Sequence, residues 1–146
     1  MGLIESINGK RIYLDTNVWI YAAEAYPNYV EILQQVFEKI DQQELVAITS
    51  ELTIAEVLVK PLQDNNLRVV QAYQSILQPS DNVKILPISR QILESAAKLR
   101  ATTRLKLPDA IHLATALDQE VKTFITNDSG FKAMSTIQVL QLADFL

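Results

Sequence analysis

The sequence predicts an α/β fold, a three-layer α/β/α sandwich around a parallel five-stranded sheet. Three observations predict it. Five short apolar runs recur along the chain, each of a strand's length rather than a helix's. The segments between the first four carry apolar residues at helical spacing. Strands that alternate with helices form parallel βαβ units, and a parallel sheet must be covered on both faces.

Taken in order, "RIYLD" (11–15) reads as a buried strand that ends on a carboxylate. "VWIYAAEA" (18–25) reads as a short helix stopped near Pro27. "NYVEILQQVFEKIDQQ" (28–43) sets Val30, Leu33, Val36, Phe37 and Ile40 on one helical face. "LVAIT" (45–49) is a second strand. Ser50 is placed to cap "ELTIAEVLVK" (51–60), and Pro61 is expected to end that helix. "LRVVQAYQSIL" (67–77) is another helix, closed by "QPSDN". "VKILPIS" (83–89) is a third strand and "RQILESAAKLRATT" (90–103) a helix. "DAIHLATALDQE" (109–120) is a helix with Pro108 at its start, where a missing N–H leaves no bond unmade. "KTFIT" (122–126) and "IQVLQ" (137–141) are the last two strands.

Composition narrows the chemistry. The 146 residues are 49% hydrophobic with only three Gly and five Pro, which argues for one packed domain, residues 1–146, without repeat, linker or disorder. The net charge of −4 gives no overall footprint of nucleic-acid binding, though it leaves room for a local basic patch. The absence of cysteine removes disulfides and thiolate metal sites and makes the cytoplasm the expected location. A single histidine leaves zinc chemistry poorly supplied. No apolar run approaches the ~20 residues that span a bilayer, and no signal peptide is expected. "MGLIES" fits a loose myristoylation pattern, but no polybasic signal follows it.

The acids fall in a pattern. In open α/β sheets sites lie outside the carboxyl ends of the strands. Asp15 ends the first strand, Asp128 follows the fourth, and Asp109 opens the helix leading into the fourth. Glu56 interrupts "TIAEVLV", a segment apolar nearly all round and therefore expected to be largely buried. A lone buried carboxylate is unfavourable unless paired or coordinated. Carboxylates gathered together raise one another's pKa unless a cation is present. A hard divalent ion such as Mg²⁺ takes oxygen ligands, keeps several waters and suits phosphoryl chemistry. Plainer readings exist for each residue. Asp15 and Asp109 have the positions of a helix cap and a first-turn acid, and Asp128 before Ser129–Gly130 that of a turn former. Glu56 is spaced to pair with Lys60. His112, one turn after Asp109, reads as a helix-packing residue bonded to a neighbour.

The segments "YLDTNVWI", "SELTIAEVLVKP", "LKLPDAIHLATAL" and "FITNDSGF" resemble, in this order, the PIN-domain family and especially the VapC-type toxins of toxin–antitoxin pairs. The resemblance implies the five-stranded parallel sheet between helices and a Mg²⁺- or Mn²⁺-dependent ribonuclease. It implies an acidic quartet of Asp15, Glu56, Asp109 and Asp128, with Thr16, Asn17 and Thr126 as hydrogen-bonding support. Asp15, Asp109 and Asp128 would be the metal ligands, and Glu56 would orient the attacking water or take its proton. It implies RNA as substrate and, as partners, a second copy and a small antitoxin protein. "KLRATTRLKLPDA" places Lys98, Arg100, Arg104 and Lys106 before Asp109, either to hold flanking phosphates or as a solvated surface. Arg100 and Arg104 are i,i+4 neighbours if the helix extends that far. Tyr21, Tyr26 and Tyr29 could stack on bases, or pack within the protein. A haloacid-dehalogenase-like phosphatase needs a second Asp where Asn17 stands. A response-regulator receiver needs paired acids after the first strand. A PIN-like module that binds RNA or protein without cutting is the remaining rival.

Overall fold

The computed structural model describes residues 1–131 and 136–146. The strands are β1 (Arg11–Leu14), β2 (Val46–Ser50), β3 (Val83–Leu86), β4 (Thr123–Thr126) and β5 (Gln138–Gln141). The helices are α1 (Leu3–Ser6), α2 (Thr16–Ala23), α3 (Val30–Asp41), α4 (Leu52–Gln63), α5 (Leu67–Ile76), α6 (Arg90–Thr102) and α7 (Leu107–Asp118). A 3₁₀ turn, Leu142–Phe145, follows β5. All strand pairs are parallel, in the order β3-β2-β1-β4-β5.

Period-two alternation divides the strands between two cores. Ile12 and Leu14 of β1, Ala47 of β2 and Ile125 of β4 join one core with Trp19, Leu33, Val36, Ile40, Val57 and Tyr73 from α2, α3, α4 and α5. Tyr13, Ile48 and Phe124 face the other way, into a core with Ile92 and Ala96 of α6 and the body of α7. Three layers result. α7 is buried through Ala110–Ala116, and its alanines are small enough to let it lie close to the sheet.

Several boundaries differ from the sequence expectation. β3 stops at Leu86 because Pro87 has no N–H for the ladder, and Ser89 then caps α6 through the amide of Ile92. Pro61 does not end α4. It lies on the buried side with Thr53 and Val57, and the helix runs on to Gln63, so the hydrogen bond it cannot donate is missing only from the last turn. α4 is not buried all round: Ile54, Val59 and Leu62 are 37%, 55% and 54% exposed, because only the Thr53–Val57–Pro61 side meets the protein. α6 ends at Thr102, and Thr103 turns the chain away with its hydroxyl on the carbonyl of Leu99. Arg104 is therefore off the helix and is not stacked one turn above Arg100.

Phe124, fully buried, stacks on Tyr13 (centroids 5.0 Å apart) and packs against Phe131 (4.7 Å). Phe124→Ala is expected to lower stability by about 3–5 kcal/mol, measured as a fall in urea midpoint at constant m-value. A loss below about 1 kcal/mol would mean that this core is loosely packed.

Candidate active site

β1 and β4 are neighbours in space, but the chain visits β2 and β3 between them. The described residues that follow them lie on opposite faces of the sheet: α2 packs into the first core, while Phe131 belongs to the second. The carboxyl ends of these two strands therefore flank the crevice expected where the strand order reverses.

Asp15 follows β1 directly. Its amide donates to the carbonyl of Ile125 (3.0 Å), extending the ladder by one bond. Its carboxylate caps α2, with Oδ1 accepting from the Thr16 amide (2.8 Å). Oδ2 accepts from the hydroxyl of Thr126 (2.7 Å), the last residue of β4, and from Asn17 Nδ2 (3.4 Å). The Thr126 hydroxyl in turn accepts from the amide of Asp128 (3.0 Å), so one hydroxyl links the backbones and acids of both strand ends. Asn17 Oδ1 accepts from the Asn127 amide (3.2 Å) and closes the ring. Thr16, Asn17 and Thr126 thus all bear on Asp15 or its neighbours.

Asp128 also forms the turn read from sequence, its Oδ1 accepting from the Gly130 amide (2.8 Å). Tyr21 stacks between Tyr26 and Tyr29, with ring centroids 4.7 Å apart in both pairs. Asn127 Nδ2 donates to the hydroxyls of Tyr21 (3.3 Å) and Tyr29 (3.0 Å), so two of the tyrosines belong to the scaffold behind the site. Tyr26 is 41% exposed.

Glu56 does not pair with Lys60, which binds Asp64 instead (3.2 Å). Its Oε1 accepts from the Thr16 hydroxyl (2.7 Å) and lies 2.7 Å from His112 Nε2. His112 is buried in the packing of α7, as expected, but its partner is the acid of another helix. Its Nδ1 lies 2.6 Å from the Tyr13 hydroxyl. This is the site residue that sequence reading undervalued. The available signal was its position one turn beyond Asp109 on the same face.

A PIN domain family model matches residues 12–136. The chain belongs to the PIN domain family. Among solved structures it is similar to a toxin–antitoxin complex from Klebsiella pneumoniae, at 26% identity and TM-score 0.65, covering 90% of this chain and 97% of that one. It is also similar to VapBC2 of Rickettsia felis bound to a promoter DNA fragment, at 16% identity and TM-score 0.69, covering 90% and 98%. A third is Mycobacterium tuberculosis VapC20, described as a sarcin–ricin loop cleaving toxin, at 17% identity and TM-score 0.69, covering 88% and 98%. No curated protein matches the sequence.

The acids of this PIN domain feel one another. Burial first, then the charges of Asp128, Asp15 and Glu56, push the Asp109 carboxyl up to about 6, against some relief from His112. Burial also raises Asp15, with His112, Thr126 and the Thr16 amide opposing it. For Glu56 burial acts upward, but the hydrogen bonds from His112 and Thr16 outweigh it and hold the carboxyl below the usual glutamate value. Among the described residues no three His, Cys, Asp or Glu side chains close on a single point as they stand. The donors are nonetheless all hard oxygens. An ion that keeps its waters and takes only one or two carboxylates fits such a set, and bound there it relieves the repulsion at Asp109. Arg100, Arg104 and Lys106 are exposed, and among the described residues none of them is ion-paired. No described helix is long and apolar enough to cross a membrane.

Asp109 holds its proton more tightly folded than unfolded. Its contribution to stability is present below about pH 4 and lost as pH rises through about 6. Asp15 acts in the same sense, while Glu56, with its lowered pKa, stabilises at higher pH and loses that contribution as pH falls. Excess Mg²⁺ should therefore raise Tm more near pH 7.5 than near pH 5, where Asp109 is mostly protonated. Scanning fluorimetry with and without Mg²⁺ checks this, and an equal shift at both pH values would remove Asp109 from the ligand set.

Proposed function

We propose that this PIN domain is a Mg²⁺- or Mn²⁺-dependent endoribonuclease and the toxin of a toxin–antitoxin pair. The observation that carries the reading is that the Asp109 carboxyl, pushed up by burial first, is pushed further by the charges of Asp128, Asp15 and Glu56, acids far from it in sequence. Membership of the PIN domain family and similarity to VapC20, a sarcin–ricin loop cleaving toxin, support a nuclease reading with RNA as the proposed substrate class.

Asp15 and Asp109 would hold the cation directly, and Asp128 through a water or beside a second ion. When bound, the cation supplies charge neutralisation, phosphate orientation and acidification of the attacking water. Glu56 is the group suited to orient that water and take its proton. It is ionised at neutral pH, and among the described residues hydrogen bonds occupy Oε1 only, which leaves Oε2 its capacity to accept. The water oxygen bonds to phosphorus as the bond to the 3′ oxygen breaks, Glu56 takes the water's proton and the departing 3′ oxygen takes one from solvent, which leaves a 5′-phosphate and a 3′-hydroxyl. Arg104 and Lys106, just ahead of Asp109, and the amino end of α7 favour phosphate binding beside the acids. Because Asp109 must lose its proton to take the cation, the rate at limiting divalent-ion concentration should fall as pH drops through about 6.

The partners follow from the same similarity. Structures like this chain occur in VapBC complexes, some bound to DNA. We therefore assign it an antitoxin partner and a second copy of itself, acting in the cytoplasm.

Single-stranded RNA should be cut with Mg²⁺ or Mn²⁺ and left intact with EDTA or in Asp15→Asn. Thr126→Val, which removes one bond to Asp15, should lower the rate ~10–100-fold. RNA that is bound but never cut, at any divalent concentration, would replace the nuclease with a binding module. Arg104→Ala with Lys106→Ala should raise KM and flatten its salt dependence while kcat holds. Unchanged KM would return these residues to the solvated surface.

A further inference from the structure

We propose that His112 is a positioning residue for Glu56: its Nε2–H and the Thr16 hydroxyl hold the carboxylate in place, and the Tyr13 hydroxyl fixes which ring nitrogen faces it. The inference rests on the nuclease reading for its consequence in the reaction, and on geometry alone for the hydrogen-bond chain.

The proton positions follow from what each group can donate. Glu56 is an ionised carboxylate and can only accept. The nitrogen 2.7 Å from it must therefore carry a hydrogen, whether the ring is neutral or charged. Tyr13 is fully buried, and a phenol of ordinary pKa about 10 keeps its proton at neutral pH. In a neutral ring that proton goes to Nδ1, at 2.6 Å. The second hydroxyl at the carboxylate is ordered in the same way. The Thr49 hydroxyl donates to the Leu14 carbonyl (3.0 Å), so in the pair with Thr53 (2.8 Å) Thr53 is the donor. Thr16 is left to donate to Glu56 Oε1 (2.7 Å).

The chain Tyr13–His112–Glu56 crosses three elements. Tyr13 and His112 are 0% and 1% exposed, whereas the Glu56 side chain is 32% exposed, on a helix with only one buried side. A glutamate so placed would otherwise sample several rotamers, and its reach into the crevice would be undefined. Two donors from α2 and α7 restrict it to one region near Asp15, whose Oδ1 is 3.9 Å from His112 Nε2. The arrangement matches the outer partners that orient the working carboxylates of other sites.

The chain contains a single histidine, so the test needs no assignment. In the untagged full-length protein with ¹⁵N-histidine, long-range ¹H–¹⁵N correlation should show one ring with a protonated Nε2. A ring protonated on Nδ1 alone would overturn the proposal whether or not the protein cuts RNA. In cleavage assays His112→Leu should lower kcat ~10–100-fold with KM unchanged. His112→Gln, which keeps an N–H near Glu56, should restore most of it. Combined with Glu56→Ala, His112→Leu should add no further loss, because both act through one group. Losses that multiply in the double variant would overturn the proposal. If His112→Leu does not fold, the spectrum and the His112→Gln variant decide. A wild-type protein that cuts no RNA defeats the nuclease reading, while the spectrum still decides the hydrogen-bond chain.

Discussion

The rest of the structure hangs on the hydrogen bond from Thr126 to the carboxylate of Asp15. It joins the ends of two adjacent strands whose sequences are 111 residues apart. It puts a nearly dry carboxylate at the carboxyl end of the central strand, where the same group caps the next helix. Burial alone would favour neutralising Asp15, and the surrounding donors are what keep the ionised form accessible. Without them the backbone ladder would still hold the two strand ends side by side, but the carboxylate would have no fixed direction between them.

The site is consequently under electrostatic tension, and the tension is unevenly spread. Glu56 has two donors and is held ionised. At Asp109 burial first and then the charges of its fellow acids outweigh the relief from His112, and its carboxyl is pushed up to about 6. Folding thus tolerates a cluster that disfavours itself, because the apolar cores on both sides of the sheet and a complete set of buried hydrogen bonds offset it. No described buried side-chain nitrogen or oxygen lacks a partner. A group of like charges maintained in this way suits the divalent cation proposed above, whose binding would then depend on proton concentration.

Most of the fold was legible because its signals are local. Strand-length apolar runs, helical spacing and Pro108 at a helix start each mark an element within a few residues, and the elements lie where those marks put them. The failures were of two kinds. Pro61 carries a strong local rule, yet near a helix end the rule has little to act on, and packing of the ring on the buried side prevails. Glu56 seemed buried because its neighbours in sequence are apolar, but Ile54, Val59 and Leu62 lie on the open side of α4. Burial is a property of the assembled layers and does not follow from composition along one helix. At the site, Asp15, Asp109 and Asp128 could be read from their places at strand ends and a helix start. His112 offered only its place one turn beyond Asp109, and its partner could not be read, since a histidine on a buried helix has the same appearance in sequence whether it meets a carbonyl or a carboxylate.

The alternation along β1 has an evolutionary consequence. Ile12 and Leu14 look into one core, Tyr13 into the other, and Asp15 begins where the strand stops. Deleting or inserting one residue between positions 12 and 15 would exchange the two faces and carry the carboxylate away from Thr126 and Tyr13 away from His112. The stretches joining α3 to β2 and α5 to β3 lie away from the crevice and are under no such restriction. Length variation among descendants of this chain should therefore collect there, and leave the first strand a fixed ruler against which the remainder is set.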